Sequence, residues 1–333
     1  MPELPDLTVY REQLARRVDG HELTEIRLAS PFVLRTVTPA VDDFRGRTVL
    51  GCSRIAKQLV IEFDGGLFVV IHLMISGRLQ WRDGPGAPIP GRNGLGAFDF
   101  DSGTLLFTEA SRKKRASLRL ISGRAALAAL DPGGLEVPGS DPAQFAARLR
   151  GCRHTLKRAL TDQRVLAGIG NAYSDEILLE ARLSPFKQAH ALDDEEMTRL
   201  HRACLQVLAV WTERLRAQAG DRFPTKVTAF HPEMAVHGRY REPCPVCGSP
   251  VQRIQYAENE ANYCARCQTG GRLLADRSLS RLLKDNWPKR LEDLEYAFRT
   301  GAAPWTTRAR RIPPGSPRCS GPAARRAARG PTG

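Results

Sequence analysis

The 333-residue chain carries 50 Lys and Arg against 36 Asp and Glu, a net charge of +14 that favours a polyanionic partner over an acidic one, a solvated basic surface being the alternative. Its length allows roughly two domains of ~150 residues with a small appended module. No apolar run reaches ~18 residues and the opening MPELPDLTVYRE is charged, which excludes a membrane-spanning segment and a signal peptide; a soluble cytoplasmic protein is expected. Residues 300–333 hold seven arginines and no acid, and taking these seven from +14 still leaves +7 on the remainder.

In chain order, residues 7–18 place Leu7, Tyr10, Leu14 and Val18 on one helical face, with Asp6 as N-cap. From 22 to 122 short β-rich runs follow: LTEIRL, FVLRTV, QLVIEF, LFVVIHLMI, AFDF, TLLFTE and SLRLI, with Asp64-Gly65-Gly66 and Asp101-Ser102-Gly103 as hairpin turns. Strands without intervening helices predict a β-sandwich or barrel, and the Gly/Pro cluster 84–96 predicts a long loop. After Asp131-Pro132-Gly133-Gly134 the pattern turns helical. Its strongest element is 193–218, where Leu200, Cys204, Val207, Leu208, Trp211 and Leu215 share a face and Asp193 to Glu196 sit at the positive end. A further helix is expected near 276–298, interrupted by Pro288, and the Pro/Gly/Arg-rich tail 300–333 is expected to be disordered.

Two constellations carry chemistry. Cys244-x2-Cys247 and Cys264-x2-Cys267, one hairpin's length apart, have the spacing of a tetrahedral four-thiolate Zn²⁺ site rather than of two disulfides, so one structural zinc ion is predicted. At the other end, Met1 precedes a small residue and is normally removed, leaving Pro2 with a free secondary amine. Such an amine titrates near ~8 and can attack a sugar aldehyde carbon, giving a cationic iminium that favours elimination next door. Glu3 beside it can serve as acid and then base.

These ends are joined, in order, by Ser53-Arg54-Ile55-Ala56-Lys57-Gln58-Leu59, read as a basic strand, by His72-Leu73-Met74-Ile75-Ser76-Gly77, and by Ala167-Gly168-Ile169-Gly170-Asn171-Ala172-Tyr173. The set resembles the formamidopyrimidine-DNA glycosylase and endonuclease VIII family of base-excision repair enzymes over about residues 1–268. The resemblance implies an α+β multidomain protein. It has an N-terminal β-sandwich with flanking helices (1–134), a helix-two-turns-helix domain (135–240), a four-cysteine zinc finger (241–270), then a helical extension (271–299) and the basic tail (300–333).

It further implies a monomeric bifunctional glycosylase and apurinic/apyrimidinic lyase. Acting on damaged double-stranded DNA in the nucleoid, such an enzyme flips a base and nicks the strand by β,δ-elimination. Pro2 then matches the nucleophile and Glu3 the acid/base. Lys57 matches the lysine at the phosphates around the lesion, and Asn171 the asparagine that holds backbone phosphate. Without this company Lys57 is an ordinary solvated lysine on a strand edge and Asn171 an ordinary helix cap. The exposed N–H groups of the helix that Asn171 opens suit a phosphate, and His72 is expected to be a satisfied structural histidine.

Three places depart from the family pattern. The loop that usually carries a phenylalanine wedge reads Ser111-Arg112-Lys113-Lys114-Arg115-Ala116, four bases that grip phosphate but cannot stack between bases. Met74 and Ile75 remain as apolar probes of the gap left by a flipped base, Ile75 standing where the family has methionine. Asn259, between Glu258 and Glu260, stands where the family's fingertip has arginine. A damaged-DNA binding protein with little or no excision is the alternative reading, against which the presence of both Pro2 and Glu3 argues.

Overall fold

The computed structural model describes residues 1–224, 231–256, 259–275, 281 and 289–293. The expected helix at 276–298 lies almost wholly outside this set, and the tail lies entirely outside it.

Helix α1 (Leu4–Val18) opens the chain and buries Leu7, Tyr10, Leu14 and Val18 as the spacing predicts. It starts earlier than expected: Glu3 is the N-cap, and Asp6 sits a turn inside, its carboxylate accepting the Glu3 backbone N–H at 2.8 Å. Pro5 in the first turn lacks only an N–H that no helical partner would have taken, so it favours this early start.

Eight strands follow among the described residues: β1 (Glu22–Leu28), β2 (Arg47–Ile55), β3 (Gln58–Phe63), β4 (Leu67–His72), β5 (Gly77–Asp83), β6 (Gly94–Phe100), β7 (Gly103–Glu109) and β8 (Ser117–Ser122). Their order is β5-β7-β6-β1-β2-β3-β4-β8. The β1–β2 seam pairs only Glu22 with Thr48 and Leu23 with Arg47, so two four-stranded halves fold over one core as a sandwich. Tyr10, Phe44, Phe63, Phe98, Phe100 and Phe107 fill it, all at most 1 % exposed.

Several strand expectations change. FVLRTV is no strand: Pro31 starts a 3-10 turn, Leu34 makes a single bridge, and Phe32 and Val37 face outward. Proline fixes φ and supplies no ladder donor, which suits a turn. The run 53–59 is split, since β2 ends at Ile55 and Ala56-Lys57 form the two-residue turn into β3. LFVVIHLMI stops at His72, and β6 begins at Gly94, before the expected loop is over.

The second half is helical: α2 (Arg124–Ala128), α3 (Pro142–Arg150), α4 (Leu156–Thr161), α5 (Asn171–Glu180) and α6 (Asp194–Ala219). Asp193 caps α6 by accepting from the Glu196 N–H at 2.8 Å, while Leu200, Cys204, Leu208 and Trp211 are buried. A small module closes the described chain, with the hairpin β9 (Gln252–Tyr256) and β10 (Asn259–Tyr263) followed by α7 (Ala265–Thr269).

The halves are stitched at the start and the middle of α1. Leu4 packs in the helical core and its N–H reaches the Gly168 carbonyl at 2.9 Å. From the other side, Phe223 enters the sandwich core, its ring 5.6 Å from that of Tyr10.

Candidate active site and zinc centre

The turn before α5 closes over the N-terminus. Gly168 takes φ +81°, and a Cβ there would lie 2.8 Å from the Leu4 Cβ. At Gly170 a Cβ would fall 2.5 Å from the Glu3 carboxylate and 2.6 Å from the Lys57 Nζ, so glycine is required by close approach rather than by φ. The Glu3 carboxylate, 2 % exposed, accepts N–H groups from Gly170 (2.6 Å), Ala172 (2.9 Å) and Tyr173 (3.2 Å). The first N–H groups of α5, expected to face phosphate, therefore bind the chain's own acid.

Pro2, the residue before Glu3, is buried as well. The α-amino group at Met1 is lowered from its ordinary value of 8.0 by burial, with Arg78 and Lys57 acting the same way and Glu3 opposing. Lys57 is 6 % exposed, not a solvated edge lysine, and burial lowers its pKa against the pull of Glu3. Ala56 ahead of it takes φ +47°, which turns Lys57 inward. Arg54, which sequence reasoning left unremarked, bonds both the Ala56 carbonyl and the Glu136 carboxylate, fastening this turn to the helical half. Asn171, half-buried at the first position of α5, makes no side-chain hydrogen bond among the described residues. The Pro2-Glu3 pair, Lys57 and Asn171, far apart in sequence, thus meet in one place.

Asp6 joins them from beneath. Its buried carboxyl is raised to about 7 by burial, while the bond from Glu3 N–H lowers it. His72, expected to be structural, is held neutral by burial, which pushes its pKa down to about 4.

The remaining predicted DNA contacts lie at one end of the sandwich. Register pairs His72 with Ser117 and Gly77 with Glu109, so the 73–76 turn and the 110–116 loop emerge side by side. Met74 takes φ +51° and Ile75 is 57 % exposed. Arg112, Lys113, Lys114 and Arg115 are exposed, on a loop anchored from below: the buried Glu109 carboxylate accepts the N–H of Arg115 (2.9 Å) and Ala116 (3.0 Å).

In the small module, Sγ atoms of Cys244, Cys247, Cys264 and Cys267 lie within 4.8 Å of one another, and those of Cys247 and Cys264 are 3.4 Å apart. Four sulfurs at ~2.3 Å from one zinc would be separated by roughly 3.8 Å, so the cluster fits a single tetrahedral ion. The donors are all thiolates and none is left over for chemistry, so the ion's part is to hold the hairpin. Asn259 opens β10 opposite Tyr256, and Glu258 lies outside the described residues. Glu260 does not project freely: it accepts from Asn262 Nδ2 at 3.0 Å and lies 3.8 Å from Arg253.

Comparison with known proteins agrees with this layout. Family models match in three segments: the formamidopyrimidine-DNA glycosylase N-terminal domain at residues 1–116, its H2TH domain at 135–218, and the zinc finger found in FPG and IleRS at 241–270. The formamidopyrimidine-DNA glycosylase of Thermus thermophilus is 34% identical over 284 residues, covering 81% of this chain and all of that protein. An uncharacterised formamidopyrimidine-DNA glycosylase-like protein of Mycobacterium tuberculosis is 43% identical over 156 residues, 47% of this chain and 95% of its own length. Among solved structures, the MutM (Fpg) protein of Thermus thermophilus aligns with a TM-score of 0.67 at 31% identity, over 80% of this chain and 98% of its own. The Lactococcus lactis enzyme, bound non-covalently to DNA containing an AP site, aligns at 0.69 and 25%, over 80% and 99%.

Proposed function

The chain belongs to the formamidopyrimidine-DNA glycosylase family of DNA glycosylases and AP lyases, and from that premise we propose that it removes damaged bases from double-stranded DNA through a Schiff base on Pro2. Once Met1 is removed, the Pro2 nitrogen attacks C1′ of a flipped nucleotide, and the bond from C1′ to the base breaks with a proton going to the base. Glu3 donates a proton to the ring oxygen as the sugar opens, and the nitrogen loses its hydrogen, leaving an iminium cation. That cation draws electrons as a base takes a C2′ proton, and the bond to the 3′ phosphate breaks. The same step at C4′ releases the 5′ phosphate.

The observation that carries the reading is the Glu3 carboxylate, buried beside Pro2 and fixed by three N–H donors of a turn 167 to 170 residues away. Burial lowers the Met1 amine, and the same surroundings at the buried Pro2 favour the unprotonated form that attacks once Met1 is gone. Lys57 and the Asn171 side chain, which has no hydrogen-bond partner among the described residues, supply the phosphate grip, with Arg112, Lys113, Lys114 and Arg115 along the duplex, Met74 and Ile75 at the vacated stack and Asn259 at the fingertip. A monomer acting on chromosomal DNA in the cytoplasm completes the reading.

Borohydride trapping on an abasic duplex tests it. The mature chain should give a covalent adduct mapped to its N-terminal peptide. An N-terminally extended form, whose Pro2 nitrogen stays an amide, should give none. A mature chain that binds the abasic duplex and gives no adduct would instead be a damaged-DNA binding protein of this fold.

A further inference from the structure

A buried polar junction outside the proposed chemistry joins the zinc module to the turn that holds Glu3. Asp175 on α5 is 0 % exposed, and its carboxylate receives three donors from three separate segments. Lys157 Nζ of α4 reaches Oδ1 at 2.6 Å. His237 Nδ1, from the segment entering the zinc module, and Asn262 Nδ2 of β10 reach Oδ2 at 2.8 and 3.2 Å. Lys157, His237 and Asn262 are each no more than 3 % exposed. The next residue, Glu176, accepts the backbone N–H groups of Ala235, Val236 and His237 at 2.8 to 3.0 Å.

The same junction reaches the catalytic side. Lys157 Nζ also donates to the Asn171 carbonyl at 2.6 Å. One turn or less along α5, ~5 Å at 1.5 Å per residue, the N–H groups of Ala172 and Tyr173 hold Glu3. An ion pair buried this deeply adds little net stability over an apolar pair of the same volume, so what it can supply is register.

We propose that Asp175 is a positioning residue through which the folded zinc module sets the placement of α5, and so of Glu3 and Asn171. Asn262, two residues before the zinc ligand Cys264, is the finger's arm in this linkage. The finger then serves catalysis from the inside as well as any DNA it touches. The inference rests on the proposed Schiff-base chemistry for one of its two readouts.

Asn262→Leu keeps the volume and removes the donor; Asp175→Asn removes the charge. For each, zinc per chain, affinity for a duplex with a reduced abasic site, and the single-turnover trapping rate at saturating protein are measured. Asn262→Leu should retain one zinc and bind the duplex more weakly, while its trapping rate at saturating protein falls between about 10- and 100-fold, the effect of misplacing a catalytic group by up to ~1 Å. The double variant should be no slower than Asp175→Asn alone, because both changes act on one path. An unchanged trapping rate in Asn262→Leu, or losses that multiply in the double variant, overturns the proposal. If the unaltered protein traps nothing, the chemistry falls alone, and amide exchange decides the linkage: faster exchange at Ala172 and Tyr173 in Asn262→Leu supports it, unchanged exchange refutes it.

Discussion

Replacing Gly170 by alanine separates geometry from composition at the site. The backbone there is extended, φ −132° and ψ −155°, which alanine adopts freely, so the whole effect comes from the new methyl group. That carbon would sit 2.5 Å from the Glu3 carboxylate and 2.6 Å from Lys57 Nζ. Carbon contacts relax only at about 3.5 Å, so the carboxylate must retreat by about 1 Å. Of its bonds to Gly170, Ala172 and Tyr173, now 2.6, 2.9 and 3.2 Å, one or two would stretch beyond hydrogen-bonding range. Losing one or two such charge-assisted bonds costs about 2–5 kcal/mol of stability. A catalytic group moved by ~1 Å loses on the order of 100-fold in rate. Single-turnover borohydride trapping, alongside thermal unfolding and zinc content, reads both. A folded Gly170→Ala protein that traps abasic DNA at the unaltered rate would show that Glu3 is not held where the reaction needs it.

Two further outcomes follow from the same site. Asp6 is neutral below about 7 in the folded chain against an ordinary 3.8, so the native state holds a proton that the unfolded chain releases. Stability from this group is full below ~4 and is lost as pH rises through ~7. Asp6→Asn, which keeps an oxygen for the Glu3 N–H, should abolish that loss. Its unfolding temperature should rise relative to the unaltered chain between pH 5 and pH 8, and parallel curves would refute the burial of a protonated carboxyl. At the open end of the sandwich, Met74 and Ile75 are the apolar side chains beside four bases, with no aromatic to refill a vacated stack. Flipping costs a few kcal/mol, least for a base already unpaired. A lesion inside an unpaired bubble should therefore be excised at least about tenfold faster than the same lesion in a matched duplex, and equal rates would show that refilling does not limit this chain.

What could be read in advance follows from which constraints are local. The four cysteines declare a metal by spacing alone, and α6 declares itself by apolar period and by Asp193 with Glu196 at its start. The strand expectations failed where a locally apolar run meets a breaker. Pro31 turns FVLRTV aside, and Ala56 at φ +47° cuts the basic run so that Lys57 points into the site instead of lying along an edge. The junction at Asp175 had no sequence signal, since its partners sit 18, 62 and 87 residues away on elements with no shared motif. That Gly170 is demanded by two side chains from distant segments emerges only from packing.

One general rule misled, and the reason bears on how the chain grips DNA. A helix that begins at a glycine-rich turn offers free N–H groups and a positive dipole end, an anion site by default. Here that site is filled from within, because Glu3 brings its carboxylate to α5 when α1 docks against Gly168. A carboxylate so held is fixed by backbone donors, and on the proposed chemistry the helix end serves catalysis. On the proposed chemistry, phosphate would then be met by side chains that have no hydrogen-bond partner among the described residues. Lys57, desolvated yet close to Glu3, and Asn171, which opens the same helix, are in that position. On that reading affinity and chemistry share one helix terminus, and displacing that terminus would disturb both together.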